Sequence, residues 1–144
     1  MRLRFALYAT SVLVLYLNLH AATTTITVYK DPSCGCCLGW VEHLKANGFE
    51  VVVKEVPNIQ DYKTKNGVPE DLQSCHTAIV DGYVIEGHVP AAEIKRLLAE
   101  HPKAKGLAVP GMPMGSPGME GPDPEHYDIV SFDSHGGTKT FDKR

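Results

Sequence analysis

Three cysteines packed into four residues, Cys34-Gly-Cys-Cys37, stand between a strand pattern and a helix pattern. Upstream, Thr25 to Tyr29 are β-branched or aromatic, and Asp31-Pro32-Ser33 breaks the run, so a strand enters a turn just before the first thiol. Downstream, Leu38, Val41 and Leu44 recur at helical spacing as far as Asn47-Gly48, which places Cys36 and Cys37 at the start of a helix. A bridge among these thiols closes almost no loop and restricts the unfolded chain very little, so the spacing argues against structural stapling.

The rest of the chain limits which folds can carry such a turn. Glu50 to Val56 reads as a second strand, and Asn58 to Asn66 as a short helix or irregular turn. Thr77 to Val80 and Tyr83 to Glu86, separated by Asp81-Gly82, match a tight hairpin. After Pro90, Ile94, Leu97 and Leu98 mark a helix ending near His101-Pro102. Strand, helix, strand, helix, hairpin, helix is the α/β order of a thioredoxin-like fold, with the cysteines at its first strand-to-helix turn. Beyond Gly106 the composition changes: Pro and Gly interrupt Pro110 to Glu120 too often for a helix or central strand, which makes it a loop. Tyr127 to Phe132 and Thr138 to Phe141 form an added hairpin or edge strand about Ser134-His-Gly-Gly137. The expected organisation is a signal peptide over 1–22, a thioredoxin-like domain over 23–105, and a C-terminal extension over 106–144, a Met/Pro/Gly loop and terminal hairpin packed on the same domain.

The leader is read from Arg2 and Arg4, the uncharged apolar run Phe5 to Leu17, and the small residues Ala21 and Ala22. That run is shorter than the ~20 residues a spanning helix needs, so no membrane association is expected after cleavage. Scattered Lys and Arg, with a net charge of -3, leave no electrostatic footprint for nucleic acid. At 144 residues a single soluble, mildly acidic, monomeric domain is expected.

The cysteine turn admits two chemistries. Cys34 and Cys37 alone have the C-x-x-C spacing of a catalytic thiol-disulfide pair, with a helix N-terminus to favour the thiolate. Cys36 fits metal binding better, as a third soft ligand, because several Cu(I) ions bridged by thiolates would cancel the charge that makes clustered thiolates costly. The thioredoxin-like order would bring Cys75 and His76, just before the hairpin, toward Cys34, Cys36 and Cys37. His88, in Gly87-His-Val-Pro90, is either an outer metal partner or a helix-opening residue. Met112, Met114 and Met119 are thioethers that select Cu(I) over Zn, as direct ligands or a shuttle, unless they pack over the sheet. Trp40 is expected to cover the site, and His43, His101, His126 and His135 to lie on the surface.

Cys34 to Cys37, the segment Leu72-Gln-Ser-Cys-His-Thr-Ala-Ile-Val-Asp-Gly-Tyr-Val-Ile-Glu-Gly-His-Val-Pro90, and Val109 to Met119, in this order, resemble the CopG-like periplasmic copper-resistance proteins of Gram-negative bacteria. The resemblance implies a thioredoxin-like domain whose C-terminal extension helps bind metal, and a cysteine-bridged copper cluster beside the C-x-C-C motif. It also implies a role in interconverting Cu(I) and Cu(II), or in buffering copper for periplasmic efflux or chaperone proteins. Carried over by motif, Cys34, Cys36, Cys37 and Cys75 would be the cluster thiolates, joined by His76, His88, Met112, Met114 and Met119. Two other functions stay open: a metal-free thiol-disulfide oxidoreductase using Cys34 and Cys37, and a structural zinc module, which the methionine loop disfavours.

Overall fold

The strand, helix, strand, helix, hairpin, helix order is realised in a computed structural model that describes residues 23–144; the expected leader over 1–22 lies outside the described residues. Strand β1 (Thr25–Lys30) leads through helix α1 (Cys36–Ala46) to β2 (Glu50–Glu55), which pairs parallel with β1. Helix α2 (Ile59–Lys65) follows, its first turn capped by the Asn58 side chain, which accepts the Gln60 N–H. Strands β3 (His76–Val80) and β4 (Tyr83–Gly87) form the hairpin, with Asp81 and Gly82 both at positive φ, as a two-residue turn matching the strand twist requires. Helix α3 (Ala91–Glu100) ends at His101, a left-handed cap.

One finding departs from the sequence reading. Gly106–Val109 is a fifth strand, β5, parallel to β4 and buried along its whole length. Three apolar residues, Leu107 to Val109, between Gly106 and Pro110 show no alternation, so periodicity cannot reveal a strand buried on both faces. Gly106 is obligatory there: a Cβ would sit 1.9 Å from the Val84 carbonyl oxygen. Beyond the loop, β6 (Asp128–Phe132) and β7 (Thr138–Lys143) form the anticipated hairpin and extend one seven-stranded sheet, ordered β2-β1-β3-β4-β5-β6-β7.

The core lies mainly on the sheet face covered by α1 and α3, where Ile26, Val28, Trp40, Leu44, Ile85, Ile94, Leu97, Leu107 and Ile129 are fully buried. Each such Leu or Ile contributes ~1.5–3 kcal/mol on burial. The neighbours of Ile85 and Leu107 in sequence, Val84 and Ala108, join Phe132, Val68 and Leu72 in a second, smaller cluster. The inward stripe of α1 is Cys37, Trp40, Val41 and Leu44, so Leu38, expected on that stripe, is 55% exposed beside the cysteines. Among the described residues no helix is long and apolar enough to cross a membrane.

Candidate metal centre

The turn after β1 sets the position of the first thiol. Asp31 Oδ1 accepts the Ser33 N–H at 2.8 Å and the Ser33 hydroxyl at 2.5 Å, and the Cys34 N–H donates to the Asp31 carbonyl at 3.0 Å. This Asx turn delivers the chain into α1, whose N-cap, Gly35, has no side chain to satisfy the exposed N–H groups of a helix end that attracts negative charge. Cys34 and Cys37 form a disulfide, while Cys36 and Cys75 are free. Cys36 Sγ lies 3.6 Å from Cys34 Sγ, and the sulfurs of Cys34, Cys36, Cys37 and Cys75 all lie within 4.8 Å of one another. The expected convergence of Cys75 on the cysteine turn is therefore realised.

Cys75 also belongs to a second set. His76 Nδ1 is 3.2 Å and His88 Nε2 is 3.1 Å from its sulfur, and the donor atoms of the three residues fall within 4.8 Å of one another. His88 Nδ1 is 2.8 Å from the Pro117 carbonyl, which can only accept, so that nitrogen carries the proton. In a neutral ring Nε2 is then a lone pair aimed at Cys75 sulfur, the orientation a metal-binding imidazole takes from its outer partner. Burial holds His88 below the usual imidazole range, against the pull of the Pro117 hydrogen bond and of Glu120. His76, fully buried, is held well below it by burial first, then by His88 and Lys63.

His76 lies between Trp40, with ring centroids 4.3 Å apart, and His88, at 5.3 Å. Trp40 covers this side as expected, with its indole N–H donated to the Val89 carbonyl at 2.8 Å. His76 Nε2 has no hydrogen-bond partner among the described residues, an orphaned buried nitrogen that costs free energy until something occupies it. The Cys75 thiol is pushed up to about 12, by burial and then by the neighbouring Cys36. A metal-free pocket thus holds Cys75 as a neutral thiol, and a bound cation is what would make its thiolate tolerable. Sulfur with neutral imidazole is a donor set for copper or zinc rather than for hard cations.

The methionines do not share one environment. Met112, 36% exposed and at positive φ, places its Sδ 4.0 Å from Cys36 Sγ. The Met114 sulfur lies over Gly121, where a Cβ would come within 2.4 Å of it. Met119 is half-buried in the loop, its N–H donated to Ser116 O and its carbonyl accepting the Gly115 N–H, both at 2.8 Å. The loop is pressed onto α1 backbone to backbone: a Cβ on Gly39 would sit 2.8 Å from Gly118 Cα, and one on Gly118 would sit 2.6 Å from Trp40 N. That contact carries Pro117 to His88.

One histidine departs from expectation. His43, read from sequence as a surface residue, is half-buried, and its Nε2 accepts the Ala91 N–H at 3.0 Å, capping the first turn of α3. Sequence reasoning also missed Lys63 and Glu86, which form a buried ion pair beneath the Cys75 corner. No periodicity signals either role, because both depend on what the fold brings alongside.

Residues 72–119 match the family described as "Protein of unknown function, DUF411". Two solved structures, titled "Copper resistance protein copG- Form 2" and "Copper resistance protein copG- Form 1", are each 42% identical to the chain, with TM-scores of 0.81 and 0.80. Each match covers 85% of this chain and 98% of the other. No curated protein matches.

Proposed function

Since the chain belongs to the CopG-like copper-resistance family, we propose that it is a copper-binding protein of the Gram-negative periplasm, exported by the leader over 1–22. Its cargo is Cu(I), held as several ions bridged by the sulfurs of Cys34, Cys36, Cys37 and Cys75. The observation that carries this reading is the meeting of those four sulfurs within 4.8 Å, from two distant parts of the chain. Thiolate is the donor that selects Cu(I), and bridging ions neutralise charges that four adjacent thiolates cannot hold alone.

The same residues supply a redox step. When Cys34 and Cys37 join, each thiol loses a proton and the pair gives up two electrons, which convert two Cu(II) to two Cu(I). The disulfide withdraws two ligands from the cluster and leaves Cys36, Cys75, His76, His88 and Met112. Imidazole nitrogens suit Cu(II) better than thioethers do, so the two overlapping sets favour different copper oxidation states. The Cu(I) formed as those two thiolates are lost would pass to an efflux or chaperone protein, and a thiol reductant reopening the disulfide would then restore the Cu(I) site.

The test is an anaerobic titration of fully reduced protein with Cu(I). More than one ion bound per chain, with a lower number for Cys36→Ser, is the expected result. Binding of at most one ion, unchanged by that substitution, overturns the reading. The Cys34–Cys37 disulfide itself favours a second reading, a metal-free oxidoreductase acting on protein thiols. Reductase turnover that survives Cys36→Ser and Cys75→Ser would establish it.

A further inference from the structure

Directly under the Cys75-His76 corner lies an ion pair that binding copper does not require. Lys63 of α2, 3% exposed, donates to Glu86 of β4, fully buried, at 2.5 Å. Glu86 Oε1 also accepts the Ser74 backbone N–H at 2.7 Å, and its Oε2 accepts the Thr77 hydroxyl at 2.7 Å. Lys63 completes the set by donating to Thr77 Oγ1 at 3.1 Å. Ser74 and Thr77 are the residues on either side of Cys75 and His76, so one carboxylate grips the chain at both flanks of two donor residues. Gly87 tightens the grip, since a Cβ there would come within 2.9 Å of the Ser74 side chain.

Stability alone does not explain why this pair is charged. Desolvating two ions costs about as much as their attraction returns, and apolar residues of similar volume commonly serve as well. An apolar pair would lack the two directional acceptors that Ser74 and Thr77 use. Burial holds the Glu86 carboxyl above its usual range even beside Lys63, and Lys63 and the hydrogen bonds from Ser74 and Thr77 work against that rise. Lys63 serves the clamp as a further donor, to Glu86 and to Thr77.

We propose that Glu86, supported by Lys63, is a positioning residue that holds Cys75 and His76 against the cysteine turn, acting through Ser74 and Thr77. The purpose of that register rests on the copper reading above, but its existence does not, and the first test contains no copper. Reduced, metal-free protein is labelled briefly with iodoacetamide, and the rate at Cys75 is read by mass spectrometry relative to Cys36 in the same sample. The double variant Lys63→Met/Glu86→Leu fills the space without an unpaired charge but removes both acceptors. Its Cys75 should label roughly tenfold faster while the melting temperature holds within a few degrees, the local opening expected when a buried polar contact is lost without global unfolding.

Lys63→Met/Glu86→Gln keeps an acceptor for Ser74 and a partner for Thr77, and should restore slow labelling. If the leucine variant does not fold, Thr77→Val removes one flank at nearly constant volume and should give a smaller acceleration. Unchanged Cys75 labelling in folded Lys63→Met/Glu86→Leu or in Thr77→Val overturns the proposal, as does equal acceleration by the glutamine and leucine variants. A Cu(I) titration of the leucine variant then separates the two readings. Faster labelling with fewer ions bound supports both, whereas faster labelling with unchanged copper uptake keeps the clamp and removes Cys75 from the copper set.

Discussion

The cysteine turn and the wall facing it differ in how they are made. Cys34, Cys36 and Cys37 come from one stretch at the opening of α1, and Cys34 and Cys36 are half-exposed there. Cys75, His76 and His88 come from the two ends of a hairpin, and both imidazoles are fully buried under Trp40 and the Pro117 loop. A bridge between residues three apart changes chain entropy little, so the first wall can open and close without disturbing the fold. The second wall is held by a carboxylate clamp and a fixed tautomer, which suits a donor set that must keep its geometry while its partner changes oxidation state. Cys75 is the one residue common to both.

That contrast breaks most severely at the shared thiol. Cys75→Ser should lower Cu(I) affinity by more than the ~100-fold that loss of an outer partner costs a metal site, and should reduce the number of ions bound. Competition against a Cu(I) chelator measures both, and retention of full capacity would mean that the cysteine turn acts alone. His88→Ala should be milder, roughly 10–100-fold in the same competition, because the four sulfurs remain.

Gly39→Ala asks whether the loop is a necessary part of the buried wall. Its new methyl would lie 2.8 Å from Gly118 Cα, backbone against backbone, with no side chain able to yield. Overpacking of this kind costs ~1–3 kcal/mol, visible as a lower denaturant midpoint. Serine substitutions at Cys34 or Cys36 on the exposed wall should move that midpoint far less.

The smallest effect concerns protons. In metal-free protein, burial holds His76 and His88 below the ordinary imidazole value, and burial does the same to His43. Below about pH 6.5 the unfolded chain therefore binds protons that these folded rings refuse. Their contribution to stability is complete above that pH and declines as the pH falls, by at most ~1.4 kcal/mol per pH unit for each ring. Denaturant midpoints between pH 7 and 5.5 should show the decline, and the slope should be shallower in His88→Ala. An identical slope would mean that His88 titrates freely.

Much of this was legible in the residues alone, for identifiable reasons. The strand into α1, the Asp81-Gly82 hairpin and the helix after Pro90 carry local signals, periodicity and turn chemistry, that act within a few residues. The C-x-C-C spacing by itself pointed to soft-metal or thiol chemistry. Strand β5 was not legible, because a short run buried on both faces has no period. Nor was the role of His43, whose context in α1 resembles that of any exposed helical residue until Ala91 of α3 arrives above it.

From sequence, then, came the order of the elements and the identity of the donor atoms, since both depend on neighbours along the chain. Only tertiary structure decided which donors share Cys75, which nitrogen of His88 holds a proton, and what anchors the corner between Ser74 and Thr77. Those outcomes depend on contacts among residues far apart along the chain, such as Lys63 with Glu86 and Gly39 with Gly118, where burial strengthens every hydrogen bond and penalises every polar atom left without one.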